Sequence, residues 1–214
     1  MTFSGKFRQI AGAINKNPFD KVRVQEAKLA EAIPKDGDWV WELKYDGYRI
    51  VAFCENGEVK LQTRGGLDWA TRFPSITNSL LTFAGGRAFV LDGELVVVDD
   101  DGRSDFNALQ NFSKKPKESG LIYMVFDVLA LDGEDLRERP LWERKKTLEK
   151  LMEGAPKNLV LSQARINGAE FMLAAICSGN FEGLIGKLLD STYAGKRNGA
   201  WLKLKCENYK RSSK

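Results

Sequence analysis

The chain has 214 residues, of which 43% are hydrophobic and 29% are charged, and its formal net charge is +4. This composition suits a soluble globular protein of one large domain or two small ones, with enough apolar residues for a sizeable core. The small basic excess is compatible with a polyanionic partner but does not demand one. The sequence has no histidine, which excludes a Ser-His-Asp or Cys-His mechanism and a histidine-ligated zinc.

The cysteines also restrict the classes of site. Cys54, Cys177 and Cys206 are far apart and form no Cys-x-x-Cys pair, so a metal cluster is not indicated. An odd number of cysteines fits reduced thiols in a cytosol better than a disulfide framework. We find no signal peptide and no apolar stretch of membrane-spanning length, and we therefore expect an intracellular protein.

The first half of the chain predicts an arm followed by a sheet. Residues 1–30 mix apolar and basic side chains without periodicity, which predicts a peripheral N-terminal arm. Residues 38–53 look like two strands joined by a hairpin turn at Asp46–Gly47, and Glu58–Thr63 continues the sheet. Two further short strands, 89–91 and 95–98, flank another Asp–Gly pair.

The second half adds strands and two helices. Leu121–Leu131 is a strongly apolar run, typical of a central strand buried on both faces. Periodic apolar positions predict helices over Pro140–Met152 and Gly168–Ser178, the second more buried. Leu184–Leu189 and Trp201–Cys206 return to strand. The fold class is therefore α+β, with antiparallel β-sheets flanked by helices.

Lys44 is the first candidate for chemistry. Strand alternation would place Glu42, Lys44 and Asp46 on one face. A lysine amine becomes a nucleophile when nearby cations or desolvation lower its pKa. By itself the Lys-x-Asp-Gly tetrad is equally typical of a surface lysine beside a turn.

Five segments in order give this lysine a context: KYDGYR at 44–49, LDGE at 91–94, VFDVL at 125–129, EGLIGK at 182–187 and WLKLK at 201–205. They resemble motifs I, III, IIIa, IV and V of the covalent nucleotidyltransferases, which include DNA ligases, RNA ligases and mRNA-capping guanylyltransferases. The surrounding residues from Asp38 to Cys206 are most similar to the ligase domain of bacterial ligase D. The resemblance implies an ATP-grasp-like nucleotidyltransferase core at 31–206.

The resemblance also implies roles for the motif residues. Lys44 would attack ATP and carry AMP as a covalent lysine–AMP intermediate. Contacts to the base and the ribose are implied for Glu42, Phe126 and Glu94. Contacts to the ribose or the phosphates are implied for Arg49, Lys203 and Lys205, and a contact to the nucleotide or to the 5′-phosphate of the nick is implied for Arg64. Arg197, six residues before Lys203, is an additional candidate for a phosphate contact. The acids implied to bind Mg²⁺ or Mn²⁺ are Glu94 and Glu182.

Several of these residues have a plain structural alternative. Phe126 could be a core aromatic, since most phenylalanines are. Lys203 and Lys205 share a strand face and could form an exposed basic edge. Lys187 would lie on the opposite face from Glu182 under strict alternation, so a bulge or a structural role stays open.

The function implied is that of an ATP-dependent DNA ligase adenylation domain in end-joining repair, with nicked or broken double-stranded DNA as substrate. Arg64, Arg72 and the Lys114–Lys117 loop are candidate DNA contacts. Bacterial Ku as a partner, a monomeric state and a nucleoid-associated location in the bacterial or archaeal cytoplasm are further expectations.

Two other functions stay open: an RNA ligase or capping guanylyltransferase, and a non-catalytic nucleic-acid-binding module. Residues 207–214 form a basic tail where ligases continue into an OB-fold domain. We expect the chain without that domain to bind nucleotide but to adenylate itself and seal nicks weakly.

Overall fold

A computed structural model of the chain describes residues 22–112 and 120–210, and all structural statements refer to these. The strands are β1 Lys28–Leu29, β2 Trp39–Leu43, β3 Tyr48–Glu55, β4 Glu58–Thr63, β5 Phe89–Val97, β6 Leu121–Leu131, β7 Glu134–Asp135, β8 Leu159–Leu161, β9 Ala164–Arg165, β10 Gly183–Leu188 and β11 Trp201–Lys205. The helices are α1 Pro74–Ala84, α2 Phe106–Asn111, α3 Leu141–Leu151 and α4 Ala169–Ser178.

The strands form two sheets. The five-stranded sheet has the order β1-β11-β10-β2-β9, and the six-stranded sheet has the order β4-β3-β5-β6-β7 with β8 paired to β6. Within the described residues, the β1–β11 and β6–β8 pairs are parallel and the other strand pairs are antiparallel. The α+β class is thus confirmed, and the sheets are mixed rather than wholly antiparallel.

The six-stranded sheet is covered on both faces. Alternate residues of β3 point to opposite faces: Ile50 and Ala52 join the core that contains α1, α2 and α3, whereas Val51 and Phe53 join a second core that contains Trp201 of the other sheet. Strand β6 is buried along nearly its whole length, as its apolar sequence predicts.

Both predicted helices form, and two more are present. α3 begins after Pro140, and α4 begins after Gly168. α4 is less buried than predicted: only Ala169 and Ile176 are buried, and Phe171 is 82% exposed. This is because α4 packs on one face of the five-stranded sheet, against Trp41, Leu184 and Leu204, and leaves its other side to solvent.

The two Asp–Gly pairs are not turns, and these predictions were wrong. β2 and β3 lie in different sheets, and β5 runs continuously through Asp92 and Gly93 with register shifts on each side of Asp92. Glycine is required by close approach instead: a Cβ at Gly47 would lie 2.2 Å from the carbonyl oxygen of Leu95. At Gly93 it would lie 2.6 Å from a backbone oxygen of β6.

The cysteine prediction was also wrong. Cys177 and Cys206 form a disulfide whose Cα atoms are 5.2 Å apart, and Cys54 is buried and free. The reason is tertiary, since α4 packs on β10 and brings its end beside the residue that follows β11. Sequence spacing carries no signal of this contact.

The N-terminal segment differs from the predicted peripheral arm in its described part. The described part starts at Val22, which bonds to Gln62 of the six-stranded sheet, and reaches the five-stranded sheet, where Lys28 and Leu29 pair with β11. Gln25 is fully buried, and its side chain bonds to Asn198 and to the backbone N–H of Ala194. No helix in the described residues is long and apolar enough to cross a membrane.

Candidate active site

A cleft of about 230 Å³ opens between the two sheets. Its walls come from the N-terminal segment, from both sheets and from the loop before β11. The lining residues are Val24, Gln25, Glu26, Ala27, Glu42, Leu43, Lys44, Tyr45, Arg49, Arg64, Glu94, Phe126, Ile185, Lys187, Arg197, Trp201 and Lys203. Of the residues predicted for the site, only Glu182 and Lys205 are not in the lining; Glu182 contacts Lys44, and Lys205 contacts Glu182.

Lys44 follows β2 directly. Its backbone N–H donates to the carbonyl of Gly183 at 2.9 Å, and its Nζ lies 2.6 Å from Glu182 Oε2. The other oxygen of Glu182 lies 3.5 Å from Lys205 Nζ. The predicted shared strand face with Glu42 and Asp46 was wrong, because β2 ends at Leu43. A carboxylate instead holds Lys44 between the two sheets.

The inner end of the cleft contains a buried ion pair. Glu42 is 1% exposed, and its Oε1 lies 2.9 Å from Lys187 Nζ. Lys187 Nζ also lies 4.3 Å from the centre of the Phe126 ring. Burial lowers the pKa of Lys187 to about 8, although Glu42 opposes this. Since Glu182 precedes β10, strict alternation from it does not apply, and Lys187 belongs to the cleft.

Phe126 is both a core residue and a cleft residue. It is 7% exposed and packs edge-on against Trp201 at 6.0 Å between ring centres. The Arg49 guanidinium lies 4.4 Å from the centre of the Phe126 ring. The remaining exposed part of the ring faces the cleft, where a planar base could stack on it.

Asp92 fixes Arg49 in the cleft wall. The guanidinium donates two hydrogen bonds to the carboxylate, both 2.6 Å long, and the hydroxyl of Tyr193 donates to the same carboxylate at 2.5 Å. Burial acts against the charge of Arg49, but Asp92 more than offsets it and raises the pKa of the guanidinium. Asp92 is fully buried, so its role is to orient Arg49.

Glu182 and Glu94 are the two acids of the site that interact with Lys44. Burial raises the pKa of Glu94 to about 7, with Arg49 and Lys44 opposing the rise. Glu182 Oε2 is buried and accepts no hydrogen bond in the described part of the chain, although it faces the Lys44 ammonium.

These two acids fit a magnesium ion better than a fully protein-bound metal. Among the described residues no group of three or more His, Cys, Asp or Glu could hold a metal ion. Mg²⁺ commonly takes one or two carboxylates and completes its shell with water and substrate phosphates. The donor set therefore fits an ion that arrives with a nucleotide.

Cations line the outer part of the cleft. Arg64 and Arg197 each pair with one oxygen of Glu26, at 2.8 and 2.6 Å. Lys203 has a lowered pKa because of partial burial and the neighbouring charges of Lys205 and Lys44. Glu26 was not predicted from the sequence, because its two partners lie 38 and 171 residues away and its segment shows no periodicity.

The other candidate DNA contacts lie outside the cleft. The Arg72 guanidinium stacks 4.3 Å from the centre of the Trp69 ring, and neither residue lines the cleft. The Lys114–Lys117 loop lies outside the described residues. Both positions stay predictions as DNA contacts.

Comparison with known proteins gives the family. The model of the ATP-dependent DNA ligase domain matches residues 20–205. The multifunctional non-homologous end joining protein LigD of Pseudomonas aeruginosa is 42% identical over 182 residues, which are 85% of this chain and 21% of that protein. This chain therefore spans about a fifth of that relative.

Two solved structures share the fold. The ligase domain of M. tuberculosis LigD has a TM-score of 0.77 and 29% identity, covering 87% of this chain and 61% of that one. A mycobacterial DNA ligase D complexed with ATP and MES has a TM-score of 0.74 and 28% identity, covering 86% and 60%. The nucleotidyltransferase architecture is thereby confirmed, and the chain belongs to the family of ATP-dependent DNA ligase domains.

Proposed function

We propose that this chain is the adenylation domain of an ATP-dependent DNA ligase and that Lys44 carries AMP. The observation that carries the proposal is the position of Lys44. Its amine lies between an inner end lined by Phe126, Glu42 and Lys187 and an outer end lined by cations. A nucleotide has a planar base at one end, which the inner end suits, and a chain of phosphates at the other, which the cations of the outer end suit. The similar mycobacterial ligase D complexed with ATP supports this choice of ligand.

The inner end fits adenine. Phe126 offers a ring for stacking. Glu42 presents carboxylate oxygens, which accept hydrogen bonds, and the neighbouring Lys187 ammonium donates them. Adenine places a donor, its 6-amino group, beside an acceptor, N1. The donor–acceptor order of the base is therefore complementary to that of the Glu42–Lys187 pair.

The outer end fits the phosphates and the chemical step. The unprotonated Lys44 amine attacks the α-phosphorus, a nitrogen–phosphorus bond forms, and the bond to the bridging oxygen breaks. Pyrophosphate leaves with the bond electrons, and the nitrogen, which becomes cationic when it attacks, releases one proton to give the phosphoramidate. Lys203, Lys205, Arg64 and Arg197 stabilise negative charge on the phosphate oxygens. Glu94 accepts a hydrogen bond from a ribose hydroxyl.

Two transfers complete the reaction. The 5′-phosphate oxygen of a DNA break attacks the AMP phosphorus and displaces Lys44, and a 3′-hydroxyl then attacks the 5′-phosphorus and displaces AMP. Glu94 and Glu182 would hold Mg²⁺ or Mn²⁺, which would neutralise phosphate charge when bound. Glu182 holds the Lys44 ammonium in place before reaction and takes part in accepting its proton.

The DNA and the partners are part of the same proposal. The substrate is nicked or broken double-stranded DNA, bound through phosphates by Arg64, Arg72 and the Lys114–Lys117 loop in a salt-dependent manner. Action in end joining rests on similarity to proteins of that name. Recruitment by bacterial Ku, a monomeric state and nucleoid association stay predictions.

Intact-mass measurement tests the proposal directly. The protein is incubated with ATP and Mg²⁺ or Mn²⁺, and a covalent adduct of AMP mass is expected that pyrophosphate reverses. Lys44→Ala should form none, whereas Lys150→Ala, at an exposed position of α3, should behave as the parent. An AMP adduct that persists in Lys44→Ala refutes the assignment.

Labelled nucleotides separate the alternatives. Transfer of α-label from GTP but not from ATP would identify a guanylyltransferase. Sealing of nicked RNA but not nicked DNA would identify an RNA ligase. If no nucleotide forms an adduct while DNA still binds, the non-catalytic binding module is the better description.

A further inference from the structure

A second lysine contacts Glu42 from outside the cleft. Lys145, on α3, is 8% exposed, and its Nζ forms an ion pair with Glu42 Oε1, the oxygen that also pairs with Lys187. The Ser162 hydroxyl donates to the other oxygen, Oε2, at 3.0 Å. Three separate parts of the chain thus converge on one buried carboxylate.

The contacts divide into a front and a back. Glu42 and Lys187 line the cleft, whereas Lys145 and Ser162 are not among the described residues that line it. Lys145 and Ser162 therefore lie behind the cleft wall. Lys145 acts on a ligand through Glu42 and its partner Lys187, and Ser162 acts through Glu42 and through Tyr45, whose side chain it also contacts.

We propose that Lys145 is a positioning residue that sets the preference for adenine over guanine by holding Glu42 and Lys187 as a fixed acceptor–donor pair. The inference deepens the proposed function and rests on it, since it assumes that the base of the nucleotide occupies the inner end of the cleft.

Glu42 is a carboxylate whose burial has to be compensated. A buried charge is tolerated when it is paired and its lone pairs are used. Ser162 donates a hydrogen bond to one oxygen of the carboxylate, and the ammonium groups of Lys145 and Lys187 form ion pairs with the other. That other oxygen, Oε1, accepts no hydrogen bond in the described part of the chain and is left to accept one from a ligand. Burial by itself raises the pKa of Glu42, but Lys145 and then Lys187 more than offset this, and the net shift is downward.

Removal of Lys145 changes both members of the pair. Glu42 would then depend on Lys187 as its single counter-ion, and Lys187 would be drawn towards it and away from the ligand. Adenine needs an acceptor opposite its 6-amino group and a donor opposite N1. Guanine has the reverse order, an oxygen at position 6 beside an N1–H, so a fixed Glu42–Lys187 pair opposes it twice. A loosened pair rejects guanine less strongly.

The test compares ATP and GTP in the full chain with Lys145→Met, which keeps the side-chain length and removes the charge. We expect KM for ATP in self-adenylation to rise about 10-fold, with the maximal rate changed less than about 3-fold. The ratio of kcat/KM for ATP to that for GTP should fall by about 10-fold or more. Lys145→Arg should restore most of the ratio, and Lys146→Met, at the adjacent exposed position, should leave all values unchanged.

Two further measurements keep the result decisive. Ser162→Ala removes the other back contact without an unpaired charge and should shift the ATP to GTP ratio in the same direction by a smaller factor, even if Lys145→Met does not fold. Equilibrium binding of ATP and GTP is also measured with Lys44→Ala and with Lys44→Ala/Lys145→Met. If Lys145→Met leaves the ratio of ATP affinity to GTP affinity unchanged, including the case in which both affinities fall by the same factor, the positioning role is overturned. Absence of an AMP adduct in the parent chain overturns the proposed function instead. In that case the ratio of ATP affinity to GTP affinity still tests the role of Lys145.

Discussion

The buried pair of Asp127 and Arg144 allows a quantitative test of the fold around Phe126. Both side chains are fully buried, and two hydrogen bonds of 2.9 Å join the guanidinium to the carboxylate. A third guanidinium nitrogen donates to the carbonyls of Arg139 and Ser191. The pair therefore ties β6 to α3 and to the loop after β10.

Arg144→Met should destabilise the protein strongly. The substitution leaves the Asp127 carboxylate with one donor from the described part of the chain, the backbone N–H of Val128 at 2.9 Å. Breaking one side of a buried ion pair typically costs about 3–5 kcal/mol of unfolding free energy. For a chain of this size the melting temperature should fall by roughly 6–20 °C. Arg144→Met/Asp127→Asn should recover part of the loss, because no unpaired charge remains.

Urea unfolding followed by tryptophan fluorescence measures the effect, with equal slopes required for comparison. The matched control is Arg87→Met, which breaks an exposed pair with Asp132 whose side chains are 48% and 50% exposed and should cost less than about 1 kcal/mol. A loss below about 1 kcal/mol for Arg144→Met, or a double variant no more stable than the single one, would show that the unpaired buried charge of Asp127 does not destabilise the fold.

Three other predictions follow from single contacts. Cys177→Ser should lower the free energy of unfolding by about 3–4 kcal/mol, because the disulfide closes a loop with a separation of 29 residues; a reductant should abolish the difference from the parent, and a parent indifferent to reductant would contradict the bond. Burial and the negative charge of Glu58, which faces it on β4, raise the pKa of Glu55 from 4.5 to about 7. The free energy of unfolding therefore decreases as the pH rises from 4.5 to 7, because Glu55 ionises more readily in the unfolded chain. Glu55→Gln should therefore stabilise by about 1–3 kcal/mol at pH 8 and not at pH 4, and equal melting shifts at both values would exclude this cause. Glu26→Gln removes the exposed ion pairs of Arg64 and Arg197, which are worth about 0.2–1 kcal/mol each. Nicked DNA with a 5′-phosphate should therefore bind about 2- to 10-fold more tightly. Weaker binding would mean that Glu26 itself contacts the DNA.

Periodic and continuous apolar patterns in the sequence were sufficient to predict β6, α3 and α4. The apolar run of β6 and the spacing in α3 and α4 have local causes, and local sequence contains them. α1 was missed although it has a start signal, Pro74 in its first turn, and buried positions four residues apart at Ile76, Leu80 and Ala84. α2 has only six residues, which is too short for a periodic apolar pattern. It is capped by the side chain of Asp105.

The Asp–Gly pairs show where local reasoning fails. The same dipeptide is required by a hairpin turn and by close contact between backbones, and only the tertiary structure distinguishes the two. Gly47 and Gly93 are needed because carbonyl oxygens of neighbouring strands occupy the place of a side chain. The site follows the same division: ordered motifs predict most of its lining, whereas Glu26 and Lys145 depend on partners distant in sequence. The Cys177–Cys206 bridge, outside the site, depends on such a partner as well.

The cleft has walls from two separate hydrogen-bonded sheets, and this gives a bound nucleotide a role in folding cooperativity. A ligand that contacts Phe126 on one sheet and Lys187 on the other favours only those states in which both sheets are formed and correctly oriented. A nucleotide concentration of 100 times Kd stabilises those states, and no others, by about 2.7 kcal/mol. Bound nucleotide should therefore slow the exchange of amide protons in β2, β10 and β11 together with that of amide protons in β5 and β6.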